Sequence, residues 1–216
     1  MKLGEINIYR ITHIKNIPHI LKYGITHKNS INSNTNFIAI GDSSLINTRN
    51  EKEVFITNGT REIIKRIRLG DYIPFYFGVK MPMLYVIQRG GNFVPQTTKA
   101  EDIIYVVCSV IKIHKLGYEY YFSDGHATDS LSTFYDKNKL SDLTSIVDWL
   151  AVKKPYWSGE DNLDVKRKKQ AEFLVKEDIS PKCIIGFGCY NEIARNKLVG
   201  YGIEEQKIKI IPKAYY

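Results

Sequence analysis

Lys166–Glu177 reads KRKKQAEFLVKE: four consecutive cations run into a short apolar segment that carries one carboxylate. Strand alternation over QAEFLV places Gln170 and Glu172 on one face and Ala171 and Phe173 on the other. Two readings fit these residues. One is an edge strand with an ordinary solvated Glu beside a Lys/Arg cluster. The other is a carboxylate held by apolar neighbours at the rim of a cleft.

The chain around this segment is richer in strands than in helices. Ile6–Thr12 alternates as a strand, and Asn16 is placed to cap a short helix, Ile17–Lys22, stopped at Gly24. The run KNSINSNTN, residues 28–36, is too polar to pack a core and reads as a functional loop. Asp42–Asn47 and Gly59–Arg68 read as helical or irregular. Tyr72–Phe77 and Met83–Ile87 read as strands separated by Gly78–Pro82, and Ile103–Ile113 as a buried central strand. Tyr118–Phe122, a turn at Ser123–Gly125, a helix near Leu140–Val152, and strands at Ala171–Lys176, Ile184–Phe187 and Lys207–Pro212 complete the pattern. Strands and helices do not alternate as βαβ units, so the class is α+β: a mixed, largely antiparallel sheet core with peripheral helices. No repeat or linker divides residues 1–216, which are expected to form one domain.

Composition narrows the function classes. The chain has 31 Lys+Arg against 23 Asp+Glu, a formal charge of +8, which favours a polyanionic partner. Its three cysteines, Cys108, Cys183 and Cys189, have no CxxC spacing, which argues against a disulfide framework or a zinc site and for a reducing compartment. No run of about 18 apolar residues and no signal-peptide pattern occurs, so a cytoplasmic protein without membrane attachment is expected. GxGxxG, P-loop, HExxH and GxSxG motifs are absent. His13, His19, His27, His114 and His126 are scattered without ligand spacing, and no metal is expected. Of the aromatic residues, Trp149 belongs in a core by the amphipathic helix pattern IVDWL, and at least half of the rings of DYIPFYF by alternation. Tyr156 and Trp157, between Pro155 and Gly159 and next to Lys153 and Lys154, belong to a loop near substrate.

Five segments in order, YRITHIKNIPHILKYGI, IAIGDSSLINTRNEKEV, DYIPFYFGVKMPMLY, SDGHATDS and RKKQAEFLV, resemble the DarT family of bacterial toxins, and the Q-x-E of the last resembles the signature of ADP-ribosyltransferases. The likeness runs from Tyr9 to Val175. It implies an ADP-ribosyltransferase fold, NAD as donor, a thymine base in single-stranded DNA as acceptor, and a macrodomain antitoxin that removes the modification. It also implies roles for particular residues. Glu172 matches the catalytic Glu, and Arg49 an arginine near NAD and the reacting base. His13 matches a first-strand residue of the NAD pocket, Gln170 the partner of Glu172 in the Q-x-E, and His126 a position close to the reaction centre. In this fold the loop before the Glu governs the acceptor, which assigns Lys153, Lys154, Tyr156, Trp157, Lys166 and Arg167 to DNA. The likeness assigns His126 and Lys80 to DNA as well; Lys80 stands where the family more often has Arg, and supplies a point charge without a bidentate fork.

These residue types suit the reaction. Cleavage of the nicotinamide glycosidic bond builds positive charge on the ribose C1, which a fixed carboxylate stabilises more in the transition state than in the ground state. The Lys166–Lys169 run is placed to keep Glu172 ionised if the groups are close. Arg49 is a poor general base because a guanidinium stays charged, so it is assigned to NAD phosphates or a base carbonyl. Guanine, RNA or protein acceptors stay open, as does a nucleic-acid-binding module without catalysis.

Overall fold

Ile103–Ser109 (IIYVVCS), whose first five residues are β-branched or aromatic, forms strand β5 inside a ten-stranded sheet. The computed structural model describes residues 2–91, 94, 96–159 and 162–216. On one side β5 pairs antiparallel along its whole length with β1 (Asn7–His13), from Asn7 opposite Ser109 to His13 opposite Ile103. On the other it pairs with β9 (Ile184–Cys189), and β10 (Ile208–Ile210) closes that edge in parallel. Beyond β1 the order is β4 (Ile73–Tyr76), β8 (Glu172–Val175), β6 (Tyr120–Ser123), β7 (Phe134–Tyr135), β2 (Glu53–Ile56) and β3 (Lys65–Arg68). Among the described residues every neighbouring pair is antiparallel except β9/β10 and β2/β7. The largely antiparallel α+β class read from the sequence is the one observed.

β8 is therefore an interior strand, and all four of its residues are buried. Alternation sends Phe173 and Val175 into the large core cluster with Ile8, Phe75, Val106 and Phe122, while Leu174 joins a smaller cluster with Val54, Ile67 and Tyr72. Glu172 opens the strand on the Leu174 face. A third cluster, built on Tyr105, Tyr215, Leu84 and Ile87, covers another part of the sheet.

Several elements differ from expectation for local reasons. Met83–Ile87 is helical, not extended: the helix spans Pro82–Arg89, starts with Pro in its first turn and ends at Gly90 with φ +81°. A short apolar run does not distinguish helix from strand, and here Leu84 and Ile87 are buried three residues apart. Gly59–Arg68 is a turn followed by β3, on which Lys65, Arg66 and Arg68 are exposed. The strand expected over Ile103–Ile113 stops at Ser109, which caps a helix at Val110–Lys115. The Leu140–Val152 segment is split into Leu143–Ile146 and Trp149–Lys153, the second capped by Asp148. Asn16 does not cap Ile17–Tyr23; its amide instead donates to Thr12 Oγ1 and to the Ile38 carbonyl, and its side-chain oxygen accepts from Ile38 N. In chain order the helices are thus α1 (Ile17–Tyr23), α2 (Ser43–Glu51), α3 (Pro82–Arg89), α4 (Val110–Lys115), α5 (Leu143–Ile146), α6 (Trp149–Lys153), α7 (Leu163–Lys169) and α8 (Glu192–Gly200).

Phe173 anchors β8, stacked on Tyr120 at 4.7 Å and edge-on to Phe77 at 6.2 Å, with no exposed surface. Phe173→Ala is expected to lower the unfolding free energy by about 3–5 kcal/mol. Urea unfolding of wild type and variant measures this, and a loss below about 1 kcal/mol would mean that the site collapses around the cavity.

Candidate active site

β1 and β4 are paired at a single position, Tyr9 opposite Tyr76, and Tyr76 is in turn paired with Glu172. Next to that pairing, Arg10 Nη1 donates to the Pro74 carbonyl at 2.9 Å and bridges the two strands. At the same level Glu172, with 0% exposure, accepts from Arg49 Nη1 at 3.1 Å and from the Ala127 backbone N–H at 2.9 Å, both through Oε1. Arg49 lies in the last turn of α2, whose start is capped by Asp42. Its Nη1 sits 2.9 Å from Oε2 as well, but its hydrogen bond is directed at Oε1. The backbone N–H of Glu172 donates to Ser123 Oγ, which donates to the Gly125 carbonyl.

Three buried polar atoms at this place have no hydrogen-bond partner among the described residues: Glu172 Oε2, Arg49 Nη2 and His126 Nε2. Buried polar groups are nearly always paired, so three open valences around one carboxylate mark a place for polar atoms of a ligand. His126 Nε2 lies 3.9 Å from Glu172 Oε1, and its ring pKa is lowered by burial, against the pull of Glu172. The imidazole is therefore neutral at pH 7. Arg10 is lowered to about 10, first by burial and then by Arg49, and stays cationic at neutral pH. The Tyr76 hydroxyl is raised by burial and then by Glu172, which keeps its proton on.

Two openings meet here, sharing Asp42, Leu45 and Met83 in their walls. The larger, about 680 Å³, is lined by His126, Trp157, Lys166, Arg167 and Gln170 among others. The smaller, about 150 Å³, runs between β1 and β4 past Arg10, Thr12, Arg49 and Tyr76 under Phe37 and Ile40. The segment above it is tethered at both ends. Asn16 holds Ile38, while Asp178 accepts from His27 N at 2.7 Å and from the Ser30 hydroxyl.

The structure brings Arg49, His126, Gln170, Trp157, Lys166 and Arg167 to the walls of these openings, with Glu172 buried beside Arg49 and His126, but not always as expected. Gln170 ends α7 and precedes β8, so it is not a strand-alternation mate of Glu172; its amide donates to the Lys166 carbonyl. The Lys166–Lys169 run does not neutralise Glu172. Lys168 pairs with Asp164 and Asp148, Lys169 donates to the Val152 carbonyl, and the counter-charge comes from Arg49. Arg167 is a brace, pairing with Asp124 at 3.1 Å and with Asp164 and receiving the His126 backbone N–H at its carbonyl. His13 is not brought to the junction. It ends β1, its Nδ1 accepts from Lys15 N, and its charged neighbours are Asp102, Lys15 and Lys197. Lys80, Lys153 and Lys154 line a different cleft, and Tyr156 is 78% exposed. Sequence reasoning did not single out Arg10, Tyr76 or Ser123. Arg10 had a visible signal, a charge flanked by Tyr9 and Ile11 within a strand; Tyr76 and Ser123 had none apart from their neighbours.

A buried, arginine-paired carboxylate with open valences suits a reaction that develops positive charge on a sugar carbon, and the sheet that carries it is that of the ADP-ribosyltransferases. Thermus sp. 2.9 DarT in complex with ADP-ribosylated ssDNA matches with a TM-score of 0.81 at 27% identity, over 98% of this chain and 96% of that one. The same Thermus protein in complex with NAD+ matches with a TM-score of 0.76 at 25% identity over the whole of both chains. The chain belongs to the DarT family: a profile described as "ssDNA thymidine ADP-ribosyltransferase, DarT" matches residues 9–216. Among its relatives, the DNA ADP-ribosyl transferase of Thermus sp. (strain 2.9) is 34% identical over 78% of this chain and 73% of its own length. That of Escherichia coli O127:H6 is 31% identical over 88% and 83%. A DNA ADP-ribosyl transferase–DNA ADP-ribosyl glycohydrolase fusion protein of Thermosipho africanus is 27% identical over 95% of this chain and 47% of its own. No three-residue metal-ligating group and no helix long and apolar enough to cross a membrane occur among the described residues.

The lowered pKa of His126 has a sign that can be tested. The unfolded chain binds a proton at about pH 6.5 and the folded chain only below that, so the stability associated with neutral His126 is present above 6.5 and lost as pH falls through the folded value. Wild type is expected to lose more stability than His126→Gln between about pH 6.5 and 5, and the His126 ring resonances to titrate below 6.5. Parallel pH profiles for the two proteins would show that the ring is not held neutral by its surroundings.

Proposed function

We propose that this protein transfers ADP-ribose from NAD to a thymine base of single-stranded DNA, with Glu172 at the centre of the reaction. The observation that carries the assignment is the trio of unpartnered atoms on Glu172, Arg49 and His126: Arg49 lies in the wall of one cleft, His126 in the wall of the other, and Glu172 is buried in contact with Arg49 and 3.9 Å from His126. NAD enters between β1 and β4, and the acceptor base comes from the side of His126, Gln170 and Trp157. Glu172 Oε2 accepts a hydrogen bond from a ribose hydroxyl and stabilises the positive charge that develops on C1 as the bond to nicotinamide breaks. The bonding pair leaves with nicotinamide, and a lone pair of the base nitrogen forms the new bond to C1. The proton on that nitrogen must leave at the same stage; the unpartnered acceptors in place to take it are Glu172 Oε2 and, in the tautomer whose Nδ1–H donates to Thr128 Oγ1, His126 Nε2. Arg49 spans donor and acceptor: one nitrogen is committed to Glu172, and Nη2 is left for a phosphate or base oxygen. Lys166, 5.6 Å from the Trp157 ring, combines charge with a stacking surface on the acceptor side.

By the same reading the chain is one ADP-ribosyltransferase domain that acts in the cytoplasm as the toxin of a toxin–antitoxin pair. Its partner is a macrodomain hydrolase, in line with the fusion of a transferase to a glycohydrolase in the Thermosipho africanus relative.

Glu172→Gln removes the charge and keeps the shape. Single-turnover labelling of a thymine-containing oligonucleotide, run below the unfolding midpoint of each protein, is expected to slow by about 100- to 1000-fold or more. A folded variant within about threefold of wild type would remove Glu172 from the reaction. Single strands are expected to be labelled in preference to the matching duplex, because pairing occupies the ring nitrogen and flipping the base out costs a few kcal/mol. Equal labelling would assign the acceptor elsewhere.

A further inference from the structure

The segment 153–157 separates two clefts. Trp157 lines the acceptor side, whereas Lys153, Lys154 and Pro155 line a second opening of about 580 Å³. Lys80, Lys169 and Lys213 face the same opening, and Glu5 is the one acidic side chain among its described lining residues. Lys80, Lys153 and Lys213 have no ion pair among the described residues. Lys169 is 1% exposed, and its ammonium donates to the Val152 carbonyl at 2.8 Å with no described carboxylate as partner. Burial, followed by the field of Lys80, lowers its pKa to about 8. A buried ammonium without a counter-ion is unfavourable for the free protein and favourable for an anion arriving beside it.

Lys80 is also held in an unusual backbone conformation, with φ +57°. Its N–H donates to Tyr105 Oη at 3.1 Å and its carbonyl accepts from Tyr216 Oη at 2.9 Å, while its Nζ lies 4.9 Å from the Tyr216 ring centre. Tyr216 Oη accepts in turn from Trp157 Nε1 at 2.7 Å. Trp157, Tyr216 and Lys80 thus form a hydrogen-bonded ridge from the acceptor cleft to the lysine cleft. Beyond Lys213 the cleft runs on into a groove of about 490 Å³ that carries Lys207 and Lys209.

From this arrangement we propose that the lysine cleft is a second phosphodiester site, which holds the backbone of the acceptor strand one or more nucleotides away from the reacting base after the strand has crossed the Trp157–Tyr216 ridge. Lys80, Lys153 and Lys213 contact phosphate, and Lys169 supplies fixed positive charge at the floor. The proposal rests on the reading of single-stranded DNA as acceptor. Aromatic surface followed by a cationic track is the pattern that binds single strands with little regard to sequence.

The test combines Lys80→Gln, Lys153→Gln and Lys213→Gln in one variant. Fluorescence anisotropy follows binding, without NAD, of thymine-free single-stranded oligonucleotides of about 5 and about 20 nucleotides over a range of salt. The variant is expected to bind the long strand at least about tenfold more weakly, with a log–log salt slope shallower by about 2, and to show a much smaller loss on the short strand. Equal losses on both lengths, or an unchanged slope on the long strand, would overturn the second site. A rise in the KM for NAD that matches the loss for DNA would assign the lysines to the donor's phosphates and overturn it as well. Transfer of ADP-ribose is measured separately, so an acceptor other than DNA would show there, while the binding slopes still decide the cleft.

Discussion

Glu172 is fully buried, and taking a carboxylate out of water costs several kcal/mol unless charge and hydrogen bonds replace its hydration shell. Arg49 and the Ala127 N–H supply that replacement on one oxygen, and the second oxygen has no donor. The rest of the site can be understood as support for this half-compensated ion. The Asp42 cap and α2 bring Arg49 to it, the bridge from Ser123 to Gly125 orients the turn that presents Ala127 and His126, and Arg10 adds a second positive field from β1. Low local polarity strengthens each of these contacts and also makes the unmet valence a strong attractor for a polar or cationic ligand.

Positions within the sheet explain why the two clefts open on different sides. The single pairing between β1 and β4 leaves room for the narrow cavity past Arg10, whereas the segment before β8 and the turn after β6 frame the wide cleft. Arg167 ties those last two elements together through Asp124 and the His126 backbone, so the imidazole and the cleft wall are fixed relative to each other. At Gly125 an added Cβ would lie 2.5 Å from the Arg167 guanidinium, which shows how closely the brace and the turn are packed.

The class of fold was legible because its strands are rich in β-branched and aromatic residues, as in IIYVVCS, and because strands and helices do not alternate regularly, β9–α8–β10 at one edge being a parallel βαβ unit within an otherwise largely antiparallel sheet. The importance of QAEFLV was legible from Glu172 lying among apolar neighbours, and from the likeness of the surrounding segments to a known family. Boundaries were less so. Met83–Ile87 is as apolar as a strand, and its helical state depends on Pro82 and Gly90 together with the packing of Leu84 and Ile87 against the sheet. What the sequence could not disclose was which cation serves which anion. The adjacent lysines of KRKK are nearest to Glu172 in the chain, yet its partner lies 123 positions away in α2. His13 likewise shares a strand with Arg10, but ends up beside Asp102 and not at the junction. Such pairings are set by the strand order, which brings β1, β4 and β8 side by side.

The exposed segment around Tyr156 differs in kind from the rest of the site. It meets the folded body through a few contacts, among them Trp157 to Tyr216 and Lys154 to Asn162, and none of these reaches Glu172 or Arg49. This stretch is thereby mechanically separate from the buried carboxylate and its arginine. Substitution at Lys153, Lys154 or Tyr156 leaves the contacts of Glu172 with Arg49 and Ala127 intact. The fold thus sets a surface free to vary in sequence beside a buried ion pair whose contacts lie on other elements.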